Sequence, residues 1–385
     1  TFGPMNLTQR GDQVRGVCSY MNIECAIEGK ATGGKLVFTY REPTITGEGW
    51  FELTRYGKGF AGEFRPDGEQ DWESWEGERI GFDGLWNSSF GLLRLVEEED
   101  RVHGFYEVEG QATIIGRRTA NRLAFNYRES RSRGRGCFEL AADGLSFQGE
   151  WKVRGGKGWR PWSGIRVRPQ RNLVWLVVLE APWQRRLSEQ EYSFGHMLRE
   201  FFARVAEVQV RHRFFVNEAG LRKCCRDLMY LAEPVVLVLA THAKTEGIVV
   251  DGETIGLHSL LKSLRHAGDL RLLHFSACLL LQDPKCVTLL RDYGKAACLP
   301  ISGYTTSVDW AESAIIEFTY LDMILARGMA PAVAAEQVLK LLLFAGNNVV
   351  ADSVYPPAGF TVLLPGDGET ERRTAKKGAS TKALR

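Results

Sequence analysis

The chain has 385 residues, 25% of them charged, and its 49 basic and 47 acidic side chains leave a formal net charge of +2. That length is too great for one ordinary core and predicts two or three domains; so even a balance of charge gives no electrostatic ground for a nucleic-acid or anionic-membrane partner. No apolar run reaches the roughly 18 to 20 residues of a membrane span, and the first residues lack a basic segment followed by an apolar one.

The eight cysteines, Cys18, Cys25, Cys137, Cys224, Cys225, Cys278, Cys286 and Cys298, are scattered without paired ligand spacing. Neither a zinc site nor a disulfide framework is expected, and a reducing cytoplasm suits such thiols. Up to about Arg168 the chain is rich in Gly, Trp, Phe and Tyr in short alternating segments, which predicts antiparallel β structure. This half is an internal repeat. "FGPMNLTQRGDQVRG" (Phe2 to Gly16) lies over "FGLLRLVEEEDRVHG" (Phe90 to Gly104) at a shift of 88 residues, which becomes 87 for "LVFTYREPTITGEGWFEL" over "LAFNYRESRSRGRGCFEL", "GKGFAGEF" over "GLSFQGEW" and "WEGERI" over "WSGIRV". Two β units follow, about residues 1–81 and 82–168, each of six or seven short strands joined by turns such as "RGD", "ATGG" and "ADGL". The layout resembles the up-and-down meander of avidin-like small barrels. The repeated aromatics Trp50, Phe51, Phe60, Phe64, Trp75, Phe138, Phe147, Trp151 and Trp162 are expected to fill the barrels. Arg154 to Arg171, with "RGGKGWRPW" and "RVRPQR", reads as an exposed connection.

From Asn172 the texture changes. "NLVWLVVLEAP" (Asn172 to Pro182) is a strand with no polar face, as in a sheet covered on both sides. "SEQEYSFGHMLREFFARVAE" (Ser188 to Glu207) predicts a helix opened by a capping box of Ser188 and Glu191. "VQVRHRFF" is a second strand, "NEAGLRKCCRDLMYLA" a helix, "PVVLVLAT" a third strand and "GLHSLLKSLRHAG" a helix. "LRLLHFSA" is a fourth strand and "KAACLPISGY" a fifth, followed by the helices "WAESAIIEFTYLDMILARG" and "PAVAAEQVLKLLLFAG". Alternating strands and helices predict βαβ crossovers in a mostly parallel sheet whose active edge is the carboxyl end of its strands.

His242 follows the third strand at once and Cys278 follows the fourth, 36 residues on. Successive strands are usually neighbours, so thiol and imidazole should face one crevice. A thiolate with an imidazole to take its proton is the minimum equipment for covalent acyl transfer. The small residues Ser276 and Ala277 would leave room for substrate, and the backbone N–H groups of Cys278 and Ala243 could serve as an oxyanion hole. Cys278 as a core thiol and His242 as a capping histidine are the alternatives.

A strand ending in His plus a small residue, then one ending in Ser-Ala-Cys, resembles the caspase-like cysteine peptidases, among them the bacterial CHAT-domain proteases. "VLATHAKTEGIVVDGETIGLHSLLKSL" and "LHFSACLLL" carry the likeness, which covers about residues 172–364 and none of the β repeats. It implies His242 as general base, Cys278 as nucleophile and a peptidase domain over about 169–366, with no metal or organic cofactor. Where the family usually has Gly after its histidine, this chain has Ala243, a strained substitution if φ there is positive. Asp309, in "TSVDWAES", falls where the family often shapes the pocket for the residue before the scissile bond; with Glu312 it also forms an ordinary helix cap. Cys224, Cys225, Cys286 and Cys298, with His258, His266 and His274, sit within helix or strand patterns and read as structural. Residues 367–385 form a basic tail without helical periodicity, expected to be disordered. The expected partners are a protein substrate and a protein that activates or inhibits through the β repeats. A pseudo-peptidase, or a β-repeat ligand binder, is the alternative.

Overall fold

The structure is a computed structural model and describes residues 3, 5–20, 23–53, 59–184, 186, 188–190, 192–265, 267–349, 351 and 353–365. Phe2, Glu191, His266 and the basic tail lie outside the described residues.

The first copy is an antiparallel meander of β1 (Met5–Arg10), β2 (Gln13–Tyr20), β3 (Ile23–Thr32), β4 (Lys35–Arg41), β5 (Thr46–Leu53), β6 (Gly59–Pro66) and β7 (Glu73–Glu78), hydrogen-bonded in chain order. Period-two alternation drives it. In β4 Leu36, Phe38 and Tyr40 are buried, while Lys35, Val37, Thr39 and Arg41 are exposed. Gly33 and Gly34, at φ 61° and 87°, turn β3 into β4, a conformation that favours glycine. Phe38, Phe51 and Trp75 fill the interior with ring centroids 4.4 to 6.0 Å apart. Trp50 does not join them. It pairs with the exposed Val37 on the outer face, and the Lys35 ammonium lies 4.2 Å from its ring.

The second copy holds β8 (Gly84–Ser88), β9 (Gly91–Glu98), β10 (Arg101–Glu107), β11 (Gln111–Thr119), β12 (Arg122–Arg128), β13 (Arg133–Leu140), β14 (Ser146–Val153), β15 (Arg160–Pro161) and β16 (Gly164–Arg166). Their order is β13-β12-β11-β10-β9-β8-β16-β14-β15, and because β13 also pairs with β14, eight of them close a barrel. The strands β12, β13 and β14 begin and end 87 residues after β4, β5 and β6, the shift read from the sequence. Part of the segment expected as an exposed connection belongs to this sheet. β15 and β16 lie within it, and Trp162, between them, is 2% exposed. Apolar and aromatic content, not the flanking glycines and arginines, decided its place.

The third region is a mixed sheet in the order β18-β17-β19-β23-β24-β25. β17 (Val174–Glu180), β18 (Val208–Phe214), β19 (Val235–Ala240), β23 (Leu270–Ser276) and β24 (Ile301–Tyr304) are parallel, and β25 (Phe360–Leu363) is antiparallel to β24. Alternate residues feed two apolar clusters. Val177, Leu179, Leu237, Leu239 and Phe275 pack with residues of α2 (Glu218–Asp227), α3 (Leu257–Ser263) and α4 (Pro284–Ala296). Leu176, Val178, Val236, Val238 and Leu272 pack with residues of α1 (Phe194–Phe202), α5 (Trp310–Leu325) and α6 (Pro331–Leu341). Helices cover both faces, which is why β17 and β19 lack a polar side.

Two local expectations are corrected, and one stretch gains an element. α1 begins at Phe194 under the N-cap Ser193, whose hydroxyl accepts from the His196 N–H; Ser188 lies outside it. Lys295 and Ala296 end α4, so the fifth strand starts only at Ile301. Residues 242–256, for most of which the sequence predicted no element, form an antiparallel meander of β20 (His242–Lys244), β21 (Gly247–Val250) and β22 (Glu253–Gly256). The β-branched Ile248, Val250 and Ile255 of that meander are buried.

Candidate active site

Register fixes the backbone of the site. Glu180 of β17 is opposite Ala240 of β19, and Ala240 is opposite Ser276 of β23. The Thr241 N–H donates to the Ser276 carbonyl at 3.1 Å, so the pairing holds to the carboxyl edge. His242 and Cys278 each stand two residues past that matched pair, beyond the ends of β19 and β23, which are adjacent parallel strands and so about 4.8 Å apart.

His242 is exposed and opens β20, opposite Val249. The buried Thr241 pins the turn, its hydroxyl donating to the Val249 carbonyl at 2.7 Å. The Trp183 ring meets the imidazole edge-on, with centroids 4.9 Å apart and planes at 81°. Ala243 is partly buried against the apolar cluster and is absent from the residues with positive φ. Its methyl group therefore carries no left-handed strain.

Cys278 is partly buried. Its thiol lies 3.5 Å from the Val308 carbonyl, to which it can donate, and the Val308 N–H donates to the sulfur at 3.4 Å. The next residue, Leu279, has φ 60°. A branched side chain in the left-handed region costs about 1 to 2 kcal/mol, so the turn is held by what surrounds it. Leu279 and Leu281 donate backbone N–H bonds to the Thr306 and Tyr304 carbonyls at 3.0 and 3.1 Å, tying the turn to the exit of β24. The small residues before the thiol have a packing role, since Ser276 and Ala277 are 7% and 5% exposed and Ala277 belongs to the apolar cluster.

Asp309 is the N-cap of α5. Its carboxylate accepts from the Ala311 N–H at 2.8 Å while Glu312 accepts from the Asp309 N–H at 3.3 Å, completing a capping box. Of the remaining thiols, burial pushes Cys225 up to about 12 and also raises Cys224 and Cys286. Cys298 is exposed. His274 is fully buried, with Nδ1 2.8 Å from the Ser302 hydroxyl and Nε2 3.4 Å from Glu317. Tyr304 donates to that fully buried carboxylate at 3.0 Å, and burial, then the Glu317 charge, pushes its phenol well above the ordinary value.

The sequence reading missed Glu180, Trp183 and Leu279. Glu180 is fully buried at the end of β17 and accepts from the Trp183 indole at 2.6 Å, the Phe194 and Gly195 N–H groups at 2.7 and 3.0 Å and the Ser193 hydroxyl at 2.9 Å. His212 Nε2 lies 2.7 Å away. Burial raises the Glu180 carboxyl, but the bonds from His212, Gly195, Phe194 and Trp183 outweigh it and hold it below its ordinary value. Through Trp183 this node reaches His242. Gly195 makes it possible, because a Cβ there would stand 2.2 Å from the His212 ring. A lone carboxylate closing an apolar strand was the available signal; nothing in the sequence marks Leu279.

Among the described residues no group of three or more His, Cys, Asp or Glu side chains could hold a metal ion, and no helix is long and apolar enough to cross a membrane. No protein-family model matches the chain, and no curated protein matches it significantly.

Proposed function

We propose that the α/β region is a cysteine endopeptidase of the caspase-like, CHAT type, with Cys278 as nucleophile and His242 as its base. The observation that carries this reading is the shared offset of the two residues beyond Ala240 and Ser276 on neighbouring strands. The strained Leu279 beside the thiol supports it, because such outliers cluster where a reacting atom must be aimed.

In the proposed reaction His242 takes the Cys278 proton and the thiolate forms a bond to the scissile carbonyl carbon. The carbonyl electrons move to oxygen, facing the N–H groups of Cys278 and Ala243. Collapse breaks the C–N bond, the imidazolium gives its proton to the leaving amine, and water then hydrolyses the thioester. Asp309 is the candidate for the pocket before the cut, where its carboxylate would favour Arg or Lys. The β copies would dock or sense a partner that regulates cleavage, in keeping with the effector role in defence or cell death that the resemblance implies, in a reducing cytoplasm.

The test is cleavage of a diverse peptide library by the full chain, Cys278→Ala and His242→Ala, with cut sites read by mass spectrometry. Cleavage by the parent chain lost in both variants is expected. Cleavage that survives Cys278→Ala would overturn the assignment. A second reading, an inactive scaffold, is favoured by the two Val308 contacts that hold the thiol; it predicts no cleavage by any form with or without cell lysate.

A further inference from the structure

The even charge balance of the whole chain conceals a difference between the two β copies. On the outer face of the first, cations stand opposite carboxylates: Arg15 lies 3.7 Å from Glu28, Lys35 3.6 Å from Glu52 and Arg65 2.5 Å from Glu48. The second copy keeps the strand pairing and changes the residues. Ile115 takes the place of Glu28, Arg135 that of Glu48 and Arg101 that of Gln13, while Arg122 and Lys152 keep the charge of Lys35 and Arg65. Like charges are thereby set directly opposite one another in three cross-strand pairs, Arg101 with Arg117, Arg128 with Arg133 and Arg135 with Lys152. The counterparts in the first copy, Gln13 with Lys30, Arg41 with Thr46 and Glu48 with Arg65, contain no such pair. Like charges facing each other across a sheet are destabilising, and a bound polyanion relieves them.

Four of these arginines, Arg101, Arg117, Arg122 and Arg135, line one open cleft of about 740 Å³ on the outer face of β10 to β14, together with Trp159. The acidic groups there are few. Glu150 lines the cleft, Asp100 holds Arg117 at 3.0 Å and Glu139 faces Arg122 across the strands. Among the described residues no carboxylate forms an ion pair with Arg101, Arg122 or Arg135. Trp159 is 42% exposed, with the Lys152 ammonium 4.6 Å and the Arg135 guanidinium 5.8 Å from its ring.

We propose that this face of the second β copy binds single-stranded nucleic acid, with phosphates at Arg101, Arg122, Arg135 and Lys152 and a base stacked on Trp159. A cationic groove with an exposed aromatic ring suits a chain that alternates phosphates with planar bases. An acidic peptide or an anionic lipid surface offers the charge without the rings, so Trp159 separates them from a nucleic acid. This inference does not rest on the proposed peptidase activity.

The experiment uses the full chain and a labelled uridine strand of about 12 nucleotides, followed by fluorescence anisotropy at several salt concentrations. A deoxythymidine strand of the same length is run beside it to tell RNA from DNA, and saturable binding of either is the expected result. Log K should fall by about 0.7 per tenfold rise in salt for each phosphate contacted. Arg135→Glu, which restores the charge of Glu48 in the first copy, is expected to weaken binding at least about tenfold. Trp159→Ala should weaken it at least about fivefold with the salt slope unchanged. Lys35→Ala, on the first copy, should leave it unaltered. Absence of saturable binding, indifference to Trp159→Ala or an equal loss from Lys35→Ala overturns the proposal. So does displacement of the strand by poly-glutamate or phosphatidylserine vesicles as effectively as by unlabelled strand at equal charge. If Arg135→Glu does not fold, Arg101→Gln carries the test, with an expected loss of at least about threefold.

Discussion

At the scale of single residues, three side chains around the proposed site carry distinct physical duties. Leu279 sits at φ 60°, where glycine is at ease and any Cβ is crowded. Leu279→Gly is therefore expected to be more stable than Leu279→Ala by about 1 kcal/mol, measured by urea unfolding of the two variants. Asp309 separates capping from charge. Asp309→Ala loses the cap of α5 and about 1 kcal/mol, whereas Asp309→Asn keeps the cap. If Asp309 also lines the proposed pocket, the Asn variant alone changes the residue preferred before each cut; an unchanged preference restricts Asp309 to capping. Ala243, free of positive φ, leaves nothing for a glycine to relieve. Ala243→Gly is expected to leave cleavage no faster and to lower stability by about 0.5 to 1 kcal/mol.

At the scale of elements, the carboxyl end of β17 is anchored by Glu180 to the start of α1 and to His212 of β18. A buried carboxylate with several donors is stabilising only while ionised and bonded. Its folded pKa lies below the ordinary 4.5, so the unfolded chain binds more protons in that window. Stability from this group is present above about pH 4.5 and is lost as pH falls through the lower folded value. Glu180→Gln turns an amide N–H toward backbone donors. It is expected to lose about 3 kcal/mol near neutral pH and to flatten the acid limb of stability, read from unfolding midpoints across pH. Through Trp183 it is also expected to disturb His242, which a pH profile of cleavage would register as a shifted limb.

At the scale of the whole molecule, one β unit occurs twice in different states of closure. The second copy closes a barrel with at least one buried inward residue on each of its eight ring strands, while in the first Leu7 of β1, at an end of the sheet, is exposed. Local opening follows buried contacts and paired backbone, so amides of β1 are expected to exchange faster than the equivalent amides of β9 in the isolated protein. Equal protection would mean that the first copy is covered in solution. Both the second repeat and the mixed sheet bury charge with a partner: Glu97 lies 2.7 Å from Arg118 in the repeat, and Glu180 and Glu317 are buried with His212 and His274 in the sheet.

The sequence by itself determined the two β copies and their shift, the alternation of strands and helices after Asn172, and the arrival of His242 and Cys278 at strand ends. These are legible because periodicity and turn chemistry act over a few residues. Tertiary structure alone decided that Trp162 is core, that Trp50 is not, that residues 242–256 form a meander, and that Leu279 is left-handed. It also brought Glu180 of β17 and His212 of β18 together and turned Trp183 back onto that carboxylate. Each of those outcomes depends on which distant surfaces meet, a choice made by burial and by the pairing of polar groups far apart in the chain.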